Sequence, residues 1–335
     1  MGLIIIIIYI IYVKYLKLIY NIYEMKKFFT NPNINWVCHH LHLDKSKTIN
    51  REVFDQSLSH MKEKWHLMRD IKKNYTEKDM KKRMLESSTY LVKQGCTKMR
   101  TFIDVDSYVG LKGLDCALDL KNYWKQFDVE LQIGTQLLEG LDNEKNIKLF
   151  NIASEKVDFI GCLPSRDKNP EKHLDIVFKK AKELNKDVEA HLDQCNLPYE
   201  FETEMFCDYV DKYNYKGKAR AIHCISLSCH NPIYQEKICK KLKHLNIGVI
   251  ICPSAAISMT QHSELKSYTH NSIAPVKLMS DIGVELGLGI DNIEDIFMPY
   301  CDGNFEFELR LLAESARIYE PQILENIATN TIGFK

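Results

Sequence analysis

Two rhythms of apolar residues alternate from Phe28 onward: short β-branched or aliphatic runs, and longer stretches with apolar positions three and four residues apart. The short runs predict strands opening at Val37 and then over 97–105, 129–135, 157–163, 187–192, 220–224, 248–252 and 284–290. The longer stretches predict helices over 50–70, from Thr76 to a stop at Gly95, and over 111–127, 144–154, 170–185, 200–213, 233–245 and 304–318, the last of the series. Thr76 followed by Asp79 is a capping signature, Gly95 suits a helix end, and Pro170 and Pro232 suit first turns. Eight strands alternating with helices predict an α/β fold, a (β/α)8 TIM barrel. An open doubly wound sheet is the alternative, but no G-x-G-x-x-G follows any strand.

The first segment breaks this rhythm. Residues 3–13 are an almost unbroken Ile/Tyr run that ends at Lys14, short of the roughly 20 apolar residues a membrane span needs. Residues 1–24 read as an apolar leader, strand-like or disordered, or as an over-extended start with Met25 as the true beginning. A membrane anchor is the alternative. Residues 25–335 then form one barrel domain.

Composition narrows the classes. In a chain of 335 residues, 45 basic and 45 acidic side chains cancel, which points away from nucleic acid and anionic membranes. Eleven cysteines without a C-x-x-C pair indicate reduced thiols and a cytoplasmic setting, most of them buried, including Cys195, Cys224 and Cys252 near strand ends.

The candidate chemistry sits at strand ends. His40 and His42 are spaced to share one face of the first strand, with His39 opposite. His191, His223 and Asp291 close strands five, six and eight, and in a barrel all such ends face one mouth. Singly, each is a packed histidine or carboxylate. Together they are the imidazole and carboxylate donors of a divalent metal site for Zn or Fe.

The ordered set His40-x-His42-Leu43-Asp44, His191, His223 and Asp291 resembles the amidohydrolase superfamily, most closely its cytosine deaminase-like branch. Local matches are Arg100-Thr101-Phe102-Ile103-Asp104-Val105, Leu138-Glu139-Gly140, Gly161-Cys162-Leu163-Pro164 and Gly289-Ile290-Asp291-Asn292. The resemblance spans about residues 36–332. It implies one divalent cation on His40, His42, His191 and Asp291, with His223 beside the water that attacks a non-peptide carbon–nitrogen bond and Asp291 moving its proton. Superfamily members with two metals usually carry a modified lysine on strand four; none is present here. Asp44 and Asp104 are candidates to orient the imidazoles. The superfamily's accessory β-sandwich is expected to be absent or vestigial, leaving the barrel bottom open to cover by a homo-oligomer contact.

Three positions depart from the branch. Its His-x-Asp-Glu reads His191-Leu192-Asp193-Gln194, and an amide cannot shuttle a proton. Leu138 replaces the glutamine before Glu-Gly, with Gln136 two residues earlier as a stand-in on the same face. Phe102 occupies a position where the branch has histidine, either as barrel core or as an aromatic floor for a planar substrate. Gln136, Leu138, Phe102 and Asn292 are thus the substrate-side candidates, and Asp291, His223 and Gln194 the catalytic ones. The expected activity is a deaminase or amide hydrolase acting on a cyclic or heterocyclic small-molecule substrate. The rivals are a catalytically impaired metal-binding relative and a lactonase or phosphotriesterase-like barrel. His262 and His270 lie in a long loop after strand seven, either a cover for the mouth or ordinary surface.

Overall fold

The computed structural model describes residues 10–16, 34–259 and 272–334. Eight parallel strands form a single sheet in sequence order: β1 (Trp36–Leu41), β2 (Cys96–Asp104), β3 (Glu130–Gln136), β4 (Phe159–Cys162), β5 (Asp187–Leu192), β6 (Ala219–His223), β7 (Gly248–Ile251) and β8 (Leu286–Leu288). The sheet closes on itself beyond the end of β8. There Ile290 N and Asp291 N donate to His40 O at 3.1 and 3.0 Å, and His42 N donates to Asp291 O at 3.2 Å. The expected (β/α)8 barrel is borne out, and among the described residues every named strand belongs to this sheet.

Local signals placed most of the helices. Thr76 Oγ1 accepts from Asp79 N at 3.2 Å and opens α4 (Glu77–Lys93), after α1 (residues 10–16), α2 (Arg51–Gln56) and α3 (Met61–Lys73). Gly95 follows α4 at φ +96°, where a Cβ would lie 2.4 Å from Ile34 O. The helix expected over 50–70 is in fact two, α2 and α3. Ser57 Oγ turns back to Phe54 O at 2.6 Å, offering the chain a turn instead of a fifth helical bond, and α3 restarts after His60. The helix at 305–316 is not the last, since Pro321–Thr329 adds another. Residues 10–16 are helical and exposed rather than strand-like; the rest of the apolar leader, His262 and His270 lie outside the described residues. No helix among the described residues is long and apolar enough to cross a membrane.

The barrel interior is layered. At the bottom Glu189 lies between two guanidiniums, 2.6 Å from Arg100 Nη2 and bonded to Arg220 Nε. Gly333 O caps this layer by accepting from Arg100 Nη1 at 2.6 Å. Above it Phe102, Phe159, Ile222 and Ile250 form an apolar layer, and above that stand the histidines of β1, β5 and β6. His39 does not face away from His40 as simple alternation predicts. Register against β2 shifts between Cys38 and Leu41, and this irregularity brings His39 into the interior beside the bottom layer, edge-on to Phe334 at 6.0 Å.

Candidate active site

Strand ends and closure place five side chains at one mouth. Asp291 Oδ1 lies 3.2 Å from Nε2 of both His40 and His42, and its Oδ2 lies 3.8 Å from His223 Nε2. His191 Nε2 is 3.4 Å from His42 Nε2. Ligand atoms of His40, His191 and His223, and separately of His40, His42 and Asp291, lie within 4.8 Å of one another. All five expected metal-site residues are therefore together. His223 and Asp291 also sit at φ +72° and +70°, a region non-glycine residues rarely enter and one that clusters at functional sites.

The chemistry of this donor set fits a divalent cation. Burial lowers the pKa of His40, His42 and His191, and takes His223 down to about 4, so each offers a neutral imidazole lone pair. Burial alone would protonate Asp291, yet the imidazoles of His40 and His42 beside it outweigh that cost and hold the carboxylate well below its usual range. The Nδ1 atoms of His40, His42, His191 and His223 are buried and have no hydrogen-bond partner. Neutral imidazoles around an ionised carboxylate, converging through Nε2, are what Zn²⁺ or Fe²⁺ binds.

A pocket opens above the histidines, lined by His42, Lys45, Gln136, Leu138, Gln194, Asn292 and others. Gln136 Oε1 and Gln194 Nε2 are buried and unpartnered. Asn292 spends its Nδ2 on Asp295 Oδ2 at 2.5 Å. Phe102 packs beneath the imidazoles, with ring centroids 4.8 Å from His40 and 4.9 Å from His191, and does not line this cavity. Sequence reading assigned no role to Lys45, nor to Met61 and Trp65 of α3 and Phe297 of the loop after β8, which also line it. Only Lys45 carried a signal, as the lysine directly after His42-Leu43-Asp44.

Asp44 and Asp104 do not serve the imidazoles. Asp104 accepts from Lys45 Nζ at 2.6 Å and Lys72 Nζ at 3.0 Å, while Asp44 accepts from Asp104 N at 2.9 Å. Burial would neutralise Lys45, but Asp104 and Asp44 keep it charged, and the two lysines hold Asp104 down at about 2. Arg83 braces the same loop, donating from Nη1 to the carbonyls of Asp44 and Ser46, both at 2.8 Å. Glu139 of the Leu-Glu-Gly match accepts from Arg69 Nε at 2.9 Å, tying α3 over the mouth.

No family model matches the chain. It is 31% identical over 249 residues to a Haemophilus influenzae protein described as uncharacterized, covering 73% of this chain and 90% of that one. Over 272 residues it is 23% identical to the N-isopropylammelide isopropyl amidohydrolase of Pseudomonas sp. strain ADP, covering 79% of this chain and 64% of that enzyme. The 5-methylcytosine deaminase of Klebsiella pneumoniae, solved with 5-fluorocytosine, superposes with a TM-score of 0.77 at 21% identity, over 85% of this chain and 69% of that one.

Proposed function

We propose that this chain, which belongs to the amidohydrolase superfamily on the side of its cytosine deaminase-like branch, is a one-metal hydrolase of a carbon–nitrogen bond in a cyclic or heterocyclic substrate. The observation that carries the reading is the convergence of four neutral imidazoles on one ionised carboxylate at the barrel mouth. The similarity to an amidohydrolase of Pseudomonas and a 5-methylcytosine deaminase of Klebsiella supports it.

His40, His42, His191 and Asp291 would hold the cation, zinc or ferrous iron. Bound there, it would supply the Lewis acidity that makes water a nucleophile near neutral pH. Asp291 Oδ2, facing His223, takes the proton of the attacking water and passes it to the leaving nitrogen. His223 orients that water and steadies the oxygen as it gains charge. Gln136 Oε1 accepts and Gln194 Nε2 donates, so these unpartnered atoms read neighbouring N–H and C=O groups on a ring edge. Leu138 and Asn292 shape that wall, Lys45 supplies a fixed positive charge beside it, and Phe102 supports the imidazoles from below.

Gln194 moves no proton, which favours a substrate whose leaving nitrogen needs no separate ring protonation, such as a cyclic amide or an N-substituted heterocycle. The test is metal content with product analysis on a panel of heterocyclic amines, cyclic amides and lactones, with His40→Ala and Asp291→Ala as controls. The reading expects about one cation per chain, release of ammonia or an amine from a substituted heterocycle or ring opening of a cyclic amide, and loss of both cation and turnover in the controls. A cation without turnover on any substrate would support the impaired relative instead. Ordinary cytosine deamination that Gln194→Glu fails to improve would overturn the role given to Gln194.

A further inference from the structure

A second group of donors shares His223 and Asp291 with the site above and adds Cys252, which takes no part in that chemistry. The ligand atoms of His223, Cys252 and Asp291 lie within 4.8 Å of one another, all buried. Cys252 follows β7, and its approach depends on Gly289, where a Cβ would lie 2.7 Å from Cys252 Sγ and 2.8 Å from His40 Cβ. The flank is rich in sulfur. Met298 lines a second part of the cavity together with His223 and Asp291, and packs in one cluster with Cys252 and Cys301.

We infer that His223, Cys252 and Asp291 form a second, inhibitory subsite for a thiophilic divalent cation. The inference rests on the proposed function for its first cation. Asp291 offers two carboxylate oxygens: Oδ1 faces His40 and His42, and Oδ2 faces His223. It can therefore serve one cation on each side, as a carboxylate does in two-metal sites with ions roughly 3.5–4 Å apart. Thiolate and imidazole select soft or borderline ions, so Cd²⁺ or excess Zn²⁺ fits and Mg²⁺ does not. Binding forms one sulfur–metal bond and releases the thiol proton to solvent, one proton per cation. An ion there occupies His223 and the Asp291 oxygen needed for proton transfer, so turnover stops. Cys252 itself has no part in turnover.

The test uses the full chain loaded with one equivalent of zinc and titrated with Cd²⁺. Three quantities are followed: bound metal per chain, the ultraviolet thiolate-to-cadmium charge-transfer absorption, and turnover. The wild-type chain should take up a second cation with that absorption and lose turnover. Cys252→Ser should hold one cation and keep turnover, with at least a tenfold weaker second site and no absorption, while Cys195→Ser and Cys301→Ser behave as wild type. Uptake that stops at one cation, or unchanged absorption in Cys252→Ser, overturns the inference. Failure to retain even the first cation would instead sink the proposed function along with it.

Discussion

Replacing Glu189 with glutamine should cost about 4 kcal/mol of stability without touching the mouth of the barrel. Glu189 is fully buried beneath the site, between Arg100 and Arg220. At an effective dielectric of about 20, each guanidinium–carboxylate pair at about 4 Å contributes about 4 kcal/mol, so the two give about 8. The cost of keeping a carboxylate out of water is several kcal/mol and disappears with the charge, which leaves a net loss of about 3–5. Arg220 retains Asp187 at 2.8 Å, so Arg100 is the group left without an anion. Its remaining partners are Gly333 O, Gln132 and the face of Phe159, 4.1 Å away. Because a folded domain has only about 5–15 kcal/mol in hand, urea titration of the wild-type and Glu189→Gln proteins resolves the difference easily. Replacing Arg100, Glu189 and Arg220 together with methionine should restore most of it. A loss under about 1 kcal/mol for Glu189→Gln would show that the layer is compensated in some other way, and the reasoning would fail.

Chelation should lower the melting temperature, because a cation present at a thousandfold its dissociation constant adds about 4 kcal/mol; calorimetry with and without chelator measures it, and no shift would contradict a native-state site. Glu308, which accepts from Ser254 N at 3.0 Å, is pushed up to about 7, chiefly by burial. Its stabilising share is therefore complete below the ordinary carboxylate range and lost as pH rises through about 7. Between pH 4.5 and 8 the wild-type protein should lose about 3 kcal/mol relative to Glu308→Gln, and parallel curves would refute this. Arg83→Met removes two charge-assisted bonds to the loop after His42 and should cost about 3 kcal/mol. It should also weaken cation binding, which a metal-buffered titration reads directly.

Much of this molecule could be read from residue order, and the exceptions have physical causes. The five metal-site candidates were legible because each closes a strand-like run, and parallel strands in a barrel send all such ends to one mouth. Thr76, Gly95 and the helix-opening prolines marked boundaries because caps act within a turn of the chain. His39 was misread because alternation assumes regular pairing, and no local residue announces a register shift. The break at 57–60 was hidden by apolar spacing that continues across it, while the Ser57 hydroxyl turns back on the chain there. Asp44 and Asp104 looked like imidazole partners until the fold placed Lys45 and Lys72 between them. Such pairings belong to tertiary packing, which spacing along one chain does not encode.

The seam at which β1 meets the end of β8 has a consequence for biosynthesis. The backbone bonds that close it run between His40, His42 and Asp291, so the donor set straddles the two most distant strands of the barrel. A ribosome making this chain delivers the two histidines early and the aspartate some 250 residues later, with seven strands and their helices in between. The nascent polypeptide lacks the carboxylate of the proposed site until residue 291 of 335. On the proposed function, loading is coupled to the final, long-range step of assembly, the kind that contact order makes slow. A chain stalled before β8 should remain metal-free however abundant the ion.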